Sequence, residues 1–258
     1  MRFALSPSSI FEELRSNDET FRLFCSVAAK GETQGGWENE RIAENTKDAT
    51  LAAKIARHGA DETKHGRLFT AMLQRRGLEP VEVPEAADYC MRLERTGIGL
   101  SHARLKEDRP FSDEEILKYL IHSRVTEQRA FEEVCQQAGV FRGDAELGKP
   151  IAMIASDEVN HLAYCHEELL RFEHEGHGDF IRRTLKEYAL VEIRNYREVS
   201  VAVMMRMGDI LGWSQLKKKV LTAGIHVIYW TERIWGWRRM VQLSPPEKTN
   251  AMGGSVPV

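Results

Sequence analysis

Asp61-Glu62-Thr63-Lys64-His65 occurs a second time in this chain, as Asp157-Glu158-Val159-Asn160-His161, and the doubled Asp-Glu-x-x-His decides how the sequence is read. Both copies sit in long runs of helical periodicity. Residues three apart share a helix face, so each Glu and its His project side by side toward one point. A carboxylate beside an imidazole makes a two-donor corner for a transition metal. One Glu-x-x-His on an amphipathic helix carries little weight, because surface helices are rich in both residues. Two copies that share the preceding Asp, in matching surroundings, carry a great deal.

Upstream of the first copy, Asn17 or Asp18 is expected to cap a long helix with the apolar stripe Phe21, Phe24, Cys25 and Ala28. Glu32 falls on that stripe, where a carboxylate is costly unless something pairs with it. Gly35 and Gly36 follow and leave room for a neighbouring helix or a ligand. After a tight break at 45–48, a second helix is expected to run to Arg76, with Gly77 as its C-terminal glycine. With the turn centred near Lys47, Glu32 lies 15 residues before it and Glu62 15 after. In an antiparallel hairpin both then stand about 22 Å from the turn, facing each other.

The same arrangement returns downstream. Residues 79–111 form a connection, with Pro80, Pro84 and Pro110 near its ends, long enough to cross a bundle. Ser112 with Glu115 makes a capping box for a third helix, whose stripe of Leu117, Leu120, Arg124, Phe131, Val134 and Ala138 is interrupted by Glu127. A break at 139–143 precedes a fourth helix, with Leu147, Ile151, Ile154, Glu158 and Cys165 on one face. Inward Glu, turn, then Glu-x-x-His thus occurs twice, with glutamate spacings of 30 and 31 residues. This internal repeat predicts an all-α protein built on a four-helix bundle at 18–172. Residues 1–17 read as a lead-in, with Ser8 or Ser9 capping a turn. Two further helices, at about 179–208 and 212–242, make a C-terminal extension within 173–243, and 244–258 reads as a disordered tail.

Composition agrees with a globular chain and narrows the function. Of the 258 residues 29% are charged, the formal net charge is −3, and a general nucleic-acid binder is disfavoured. No apolar run reaches the ~20 residues of a membrane span. The N-terminus has no apolar core followed by a small-residue cleavage site, so a cytoplasmic location is expected. The four cysteines include no C-x-x-C pair, which removes zinc and rubredoxin-type sites.

Six inward residues result: Glu32, Glu62, His65, Glu127, Glu158 and His161. Four carboxylates and two imidazoles suffice for two metals with bridging carboxylates, and the oxygen–nitrogen set suits iron or manganese. Asp61 and Asp157, four residues before their histidines, can each accept an imidazole N–H, most simply from the opposite hairpin. Residues 18–172 resemble the ferritin-like di-metal carboxylate proteins, whose pattern is Glu, Glu-x-x-His, Glu, Glu-x-x-His on four helices. The doubled Asp-Glu-x-x-His is most similar to that of the O2-activating oxygenases and oxidases. The resemblance implies two iron ions (manganese or a mixed pair being the alternative), with all six residues as ligands and the four glutamates at the reacting centre. It further implies O2 and a small organic substrate as partners, and a reductase or other electron donor.

Three functions compete on this reading. The first is an O2-dependent oxygenase or oxidase, for which Gly35, Gly36, Gly59 and Gly66 would open a pocket beside the metals. The second is peroxide defence of the manganese-catalase or rubrerythrin kind, the latter weakened by the missing C-x-x-C. Iron storage ranks last. A hydroxylase of tRNA is a narrower form of the first, suggested by the basic, Trp-rich last helix. Tyr119, Tyr164, Tyr188 and Tyr196 are candidate redox or substrate-facing tyrosines, with the core as their ordinary role. Glu192 reads as a solvated residue with a ligand role as the alternative, and His58 as a pocket or a packing residue. Val199, Val203 and Met207 on one extra helix and Val220, Ile228 and Trp235 on the other are expected to close an apolar cavity. A homodimer interface is the competing use of those faces.

Overall fold

Asn17 and Asp48 start the first two long helices: each side chain accepts two backbone N–H groups of the first turn that would otherwise lack partners. The helices are α2 (Asp18–Glu44) and α3 (Ala49–Arg75), preceded by α1 (Pro7–Ser16). The computed structural model describes residues 6–243, and every regular element among them is helical. The turn between α2 and α3 lies where the sequence places it, and three glycines make the pair unusually close. A Cβ on Gly59 would stand 3.0 Å from the Gly36 carbonyl oxygen and 2.9 Å from the Asn39 Cβ. One on Gly36 would meet the Gly59 carbonyl oxygen at 3.1 Å, and one on Gly66 the Ala29 carbonyl oxygen at 3.3 Å. Gly36, Gly59 and Gly66 are therefore spent on backbone contact and open no pocket. Gly35 alone makes room at the site, since its missing Cβ would sit 3.1 Å from a Glu62 carboxylate oxygen.

The second hairpin is α6 (Asp113–Val140) and α7 (Gly148–Phe172). Ser112 and Glu115 form the expected capping box, and Arg104 adds an ion pair to Glu115 at 2.5 Å. Between the hairpins, residues 76–112 carry a 3₁₀ turn (Glu85–Ala87), α4 (Tyr89–Arg95) and the short α5 (His102–Leu105). Leu93, Ile98, Leu105 and Phe111 bury this connection against the bundle, and Lys30 pins it through Asp88 at 2.6 Å. Two apolar cores result, one on each side of the polar layer at Glu32, Glu62, Glu127 and Glu158.

The expected break at 174–178 is a kink, not an end. A π turn (Glu173–His177), with Gly176 at φ 100°, joins α7 to α8 (Gly178–Ile210). Gly212, at φ 63°, ends α8 and leads to α9 (Gln215–Thr231), a second π turn (Glu232–Gly236) and α10 (Trp237–Val241). Val199 and Met207 of α8 are buried as expected. Val220, Ile228 and Trp235 are not: they are 42%, 55% and 65% exposed, although Ile228 still lines a cavity together with Val199, Val203 and Met207. The inner face of α9 is instead occupied by Tyr229 and by the stems of Lys217 and Lys218, whose ammonium groups reach Glu13 and Asp209. The tail expected at 244–258 lies outside the described residues. No helix among the described residues is long and apolar enough to cross a membrane.

Candidate metal centre

The two hairpins meet at their motif helices, and the six acidic and histidine side chains singled out in the sequence converge there. His65 Nδ1 stands 3.2 Å from Glu32 and 3.8 Å from Glu158. His161 Nδ1 stands 3.5 Å from Glu62, 3.5 Å from Glu127 and 3.4 Å from Glu158. Glu62 is common to two donor groups, one with Glu32 and His65, the other with His58, Glu127 and His161. A carboxylate shared in this way is placed to bridge two ions. Both histidines are nearly inaccessible, as is Glu158, whereas Glu32 and Glu62 keep an edge open to a neighbouring cavity.

The outward nitrogens cross between hairpins. His65 Nε2 lies 3.1 Å from Asp157, and His161 Nε2 lies 3.7 Å from Asp61. Each imidazole therefore turns Nδ1 to the carboxylates and Nε2 toward the aspartate of the other motif, and at His65 the 3.1 Å bond to Asp157 holds the ring orientation. Lys64, inside the first motif, bonds both aspartates at 2.7 Å. The second motif has Asn160 at that place, so one ammonium group serves the pair. Lys64 and Asp157's other neighbours outweigh burial and hold the Asp157 carboxyl below its ordinary range.

A third imidazole completes the layer. His58, one turn before Glu62, is 2% exposed, and its Nε2 stands 3.3 Å from both Glu62 and Glu127. Its ring lies against that of His161, with centroids 3.9 Å apart. Its Nδ1 is 2.8 Å from the Tyr164 hydroxyl, which is 2.7 Å from the Tyr119 hydroxyl, which donates to Asn39 Oδ1 at 2.7 Å. Because that oxygen only accepts, Tyr119 accepts from Tyr164 and Tyr164 accepts from His58. The chain thus puts a proton on Nδ1 and turns Nε2 toward the carboxylates. Tyr188 lies outside this chain of bonds, and Tyr196, bound to Glu133, lines the cavity beside the layer. Glu192 is neither a ligand nor solvated: it is wholly buried, 3.0 and 3.1 Å from the Arg129 guanidinium, and accepts the Tyr89 hydroxyl.

Four glutamates in one dry layer cannot all stay ionised unaided. Burial, then the nearby Glu62, pushes the Glu32 carboxyl well above its usual range, and burial with Glu127 does the same to Glu158. Burial also works against ionised Glu127, but His58 and His161 outweigh it and hold that carboxyl well below its usual range. The two imidazoles are in turn raised to about 9, because Glu127 and Glu62 overcome the cost of burial. Protons balance the charge in this way, and divalent cations bound to the same oxygen and nitrogen atoms would take their place. The donor set fits a metal on a second count. His58 Nε2, both nitrogens of His161 and one oxygen of Glu158 are buried with no hydrogen-bond partner, which is costly for polar atoms that serve nothing else.

Beside the layer lies a cavity of about 330 Å³. Glu32, Glu62, Glu127, Glu158 and His58 stand at the carboxylate layer, and the remaining lining is mostly carbon, broken by Lys30, Glu38, Asp88, Glu94, His122 and Arg129. Leu93, Ile98, Leu100 and Leu105 of the connection close it, whereas α8 contributes only Tyr196 and Val199 and α9 nothing. The wall expected from the two extra helices is therefore supplied by residues 79–111, the segment that packs on α2 and α8. Comparison with known family models, with curated proteins and with solved structures returns no match, and the residues of the site are what speak to its chemistry.

Proposed function

We propose that the chain is a non-heme di-iron oxygenase or oxidase of the ferritin-like carboxylate kind, acting with O2 on an apolar organic substrate. The observation that carries this reading is the junction of two donor groups sharing Glu62 with an apolar cavity about 330 Å³ in volume. Glu32 and His65 would hold one ion, Glu127, His161 and His58 the other, with Glu62 and Glu158 between them. Iron bound there would supply the electrons and the Lewis acidity that make O2 reactive. In a hydroxylation one oxygen atom enters the substrate C–H bond. The other leaves as water, with two electrons and two protons drawn from an external donor.

The protein's own part is positional. Asp157 orients the His65 imidazole, and the His58–Tyr164–Tyr119–Asn39 chain holds His58 in its tautomer. Leu93, Ile98 and Leu105 keep water from the carboxylate layer and give a carbon chain something to lie against. Peroxide disproportionation needs none of that apolar volume, so the cavity favours an organic substrate. Protein loaded anaerobically with ferrous iron, given O2, a chemical reductant and a panel of apolar compounds, decides the matter. Substrate-dependent O2 uptake with an oxygenated or desaturated product is expected. Rapid dismutation of hydrogen peroxide without any substrate-coupled O2 uptake would overturn the reading.

A further inference from the structure

A second cavity, about 470 Å³ in volume, lies between α1, α2, α6, α8 and α9. It holds no member of the carboxylate layer. Its lining is carbon-rich, with Phe11, Leu14, Met204 and Met207 among its walls. Three residues, Val27, Tyr196 and Val199, line both cavities, so a single layer of side chains stands between them. Val199, Val203 and Met207 are spaced four apart on α8 and form one apolar stripe leading from the shared wall into the outer cavity. Val27 faces them from α2, little more than one turn before Glu32. Of the three shared residues, Tyr196 is held by its bond to Glu133 and by the Arg129 guanidinium 4.0 Å from its ring centre. The other two are valines, the shortest side chains of the shared wall.

We propose that the substrate is a long unbranched aliphatic chain that passes between Val27 and Val199, its reacting end in the inner cavity and its remainder in the outer one. A compact substrate would use the inner cavity alone and would leave an adjoining apolar volume of ligand size without an occupant. Two such volumes, parted by little more than two valine side chains, fit an elongated hydrocarbon that displaces those side chains on binding. The polar end of the chain then stays near the outer rim, where Gln136, Gln137 and Arg197 stand. This inference deepens the oxygenase reading in naming the substrate class, and chain binding itself requires no metal.

The test uses the full-length protein, with metal content measured on the same samples. Alcohols from hexyl to hexadecyl displace a fluorescent alkyl probe. Affinity is expected to rise roughly tenfold for every two methylenes buried, until both cavities are filled. Val199→Trp in the shared wall, and Met204→Trp in the outer cavity, should each bring hexadecyl affinity down toward the hexyl value while metal content stays as in the parent. Where Val199→Trp does not fold, Met204→Trp and the length series of the parent protein still decide. Equal affinity for short and long chains, or long-chain affinity that survives both tryptophans, overturns the proposal. Length-dependent binding in a protein that takes up no metal would keep this inference and sink the oxygenase reading. Two bound metals without length dependence would do the reverse.

Discussion

Gly59→Ala should destabilise the protein even though alanine is the better helix former. In the interior of a helix the exchange is worth up to about 1 kcal/mol in favour of alanine. At Gly59 the new methyl group would stand 2.9 Å from the Asn39 Cβ, 3.0 Å from the Gly36 carbonyl oxygen and 3.3 Å from the Glu40 backbone nitrogen. None of these can swing aside as the end of a flexible side chain does, so α2 must move away from α3. Overpacking of this sort costs about 1–3 kcal/mol, which leaves a net loss of up to roughly 2 kcal/mol. Gly224, in the middle of α9, is the control: nothing lies within 4 Å of its absent Cβ. Gly224→Ala should gain about 0.5–1 kcal/mol. The two variants should therefore differ by about 2 kcal/mol, or roughly 4–8 °C in Tm for a chain of this size. Thermal melts followed by circular dichroism, run on both variants, measure the gap. A Gly59→Ala protein as stable as Gly224→Ala would refute the close approach of α2 and α3, and with it the route by which Glu32 reaches Glu62.

Further predictions concern the polar layer and its supports. Glu192→Ala leaves the buried Arg129 guanidinium with Glu232 and, at 4.0 Å, Glu132, and should cost about 3 kcal/mol, read as a Tm lowered by some 6 °C or more; an unchanged Tm would mean the pair does not matter. Glu115, held down to about 2 by Arg104 and the Ser112 cap, stabilises the fold above its ordinary value of 4.5 and stops doing so as pH falls from 4.5 toward 2. Glu115→Gln should therefore lose about 1–2 kcal/mol at neutral pH, after allowance for solvent screening, and almost nothing near pH 2; parallel urea titrations at the two pH values check the sign. Asp157→Asn, which weakens the hold on His65, is expected to lower metal affinity about 10–100-fold with the helical content intact, and unchanged affinity by competition with a chelator would count against it.

Much of this architecture could be read from the residues, because the evidence for it is local. The capping residues Asn17, Asp48 and Ser112, the turn near Lys47 and the doubled motif follow from short-range spacing, and the hairpin arithmetic follows from helix rise. What was not legible depends on partners far away in the chain. Glu192 lies 63 residues from Arg129 and reads as an ordinary helical glutamate until the two helices meet. His58 had a signal, its position four residues before Glu62 on the same face, but the repeat hid it: the corresponding place in the second hairpin holds Ile154. Gly36, Gly59 and Gly66 are consistent with either an open pocket or a tight helix contact, and only the approach of the backbones decides for contact. Val220, Ile228 and Trp235 recur at helical spacing, which reveals a shared face without saying whether it turns in or out.

Metal content bears most directly on the central claim. Protein purified without added metal, then reconstituted with ferrous iron under anaerobic conditions and desalted, should carry two ions per chain by elemental analysis. Glu62→Ala should lose both, because that carboxylate belongs to the two donor groups together, whereas His65→Ala should lose chiefly the ion held with Glu32. Circular dichroism on the same samples should report the helices unchanged. A chain that binds no transition metal, or a Glu62→Ala protein that still holds two ions, would contradict the account.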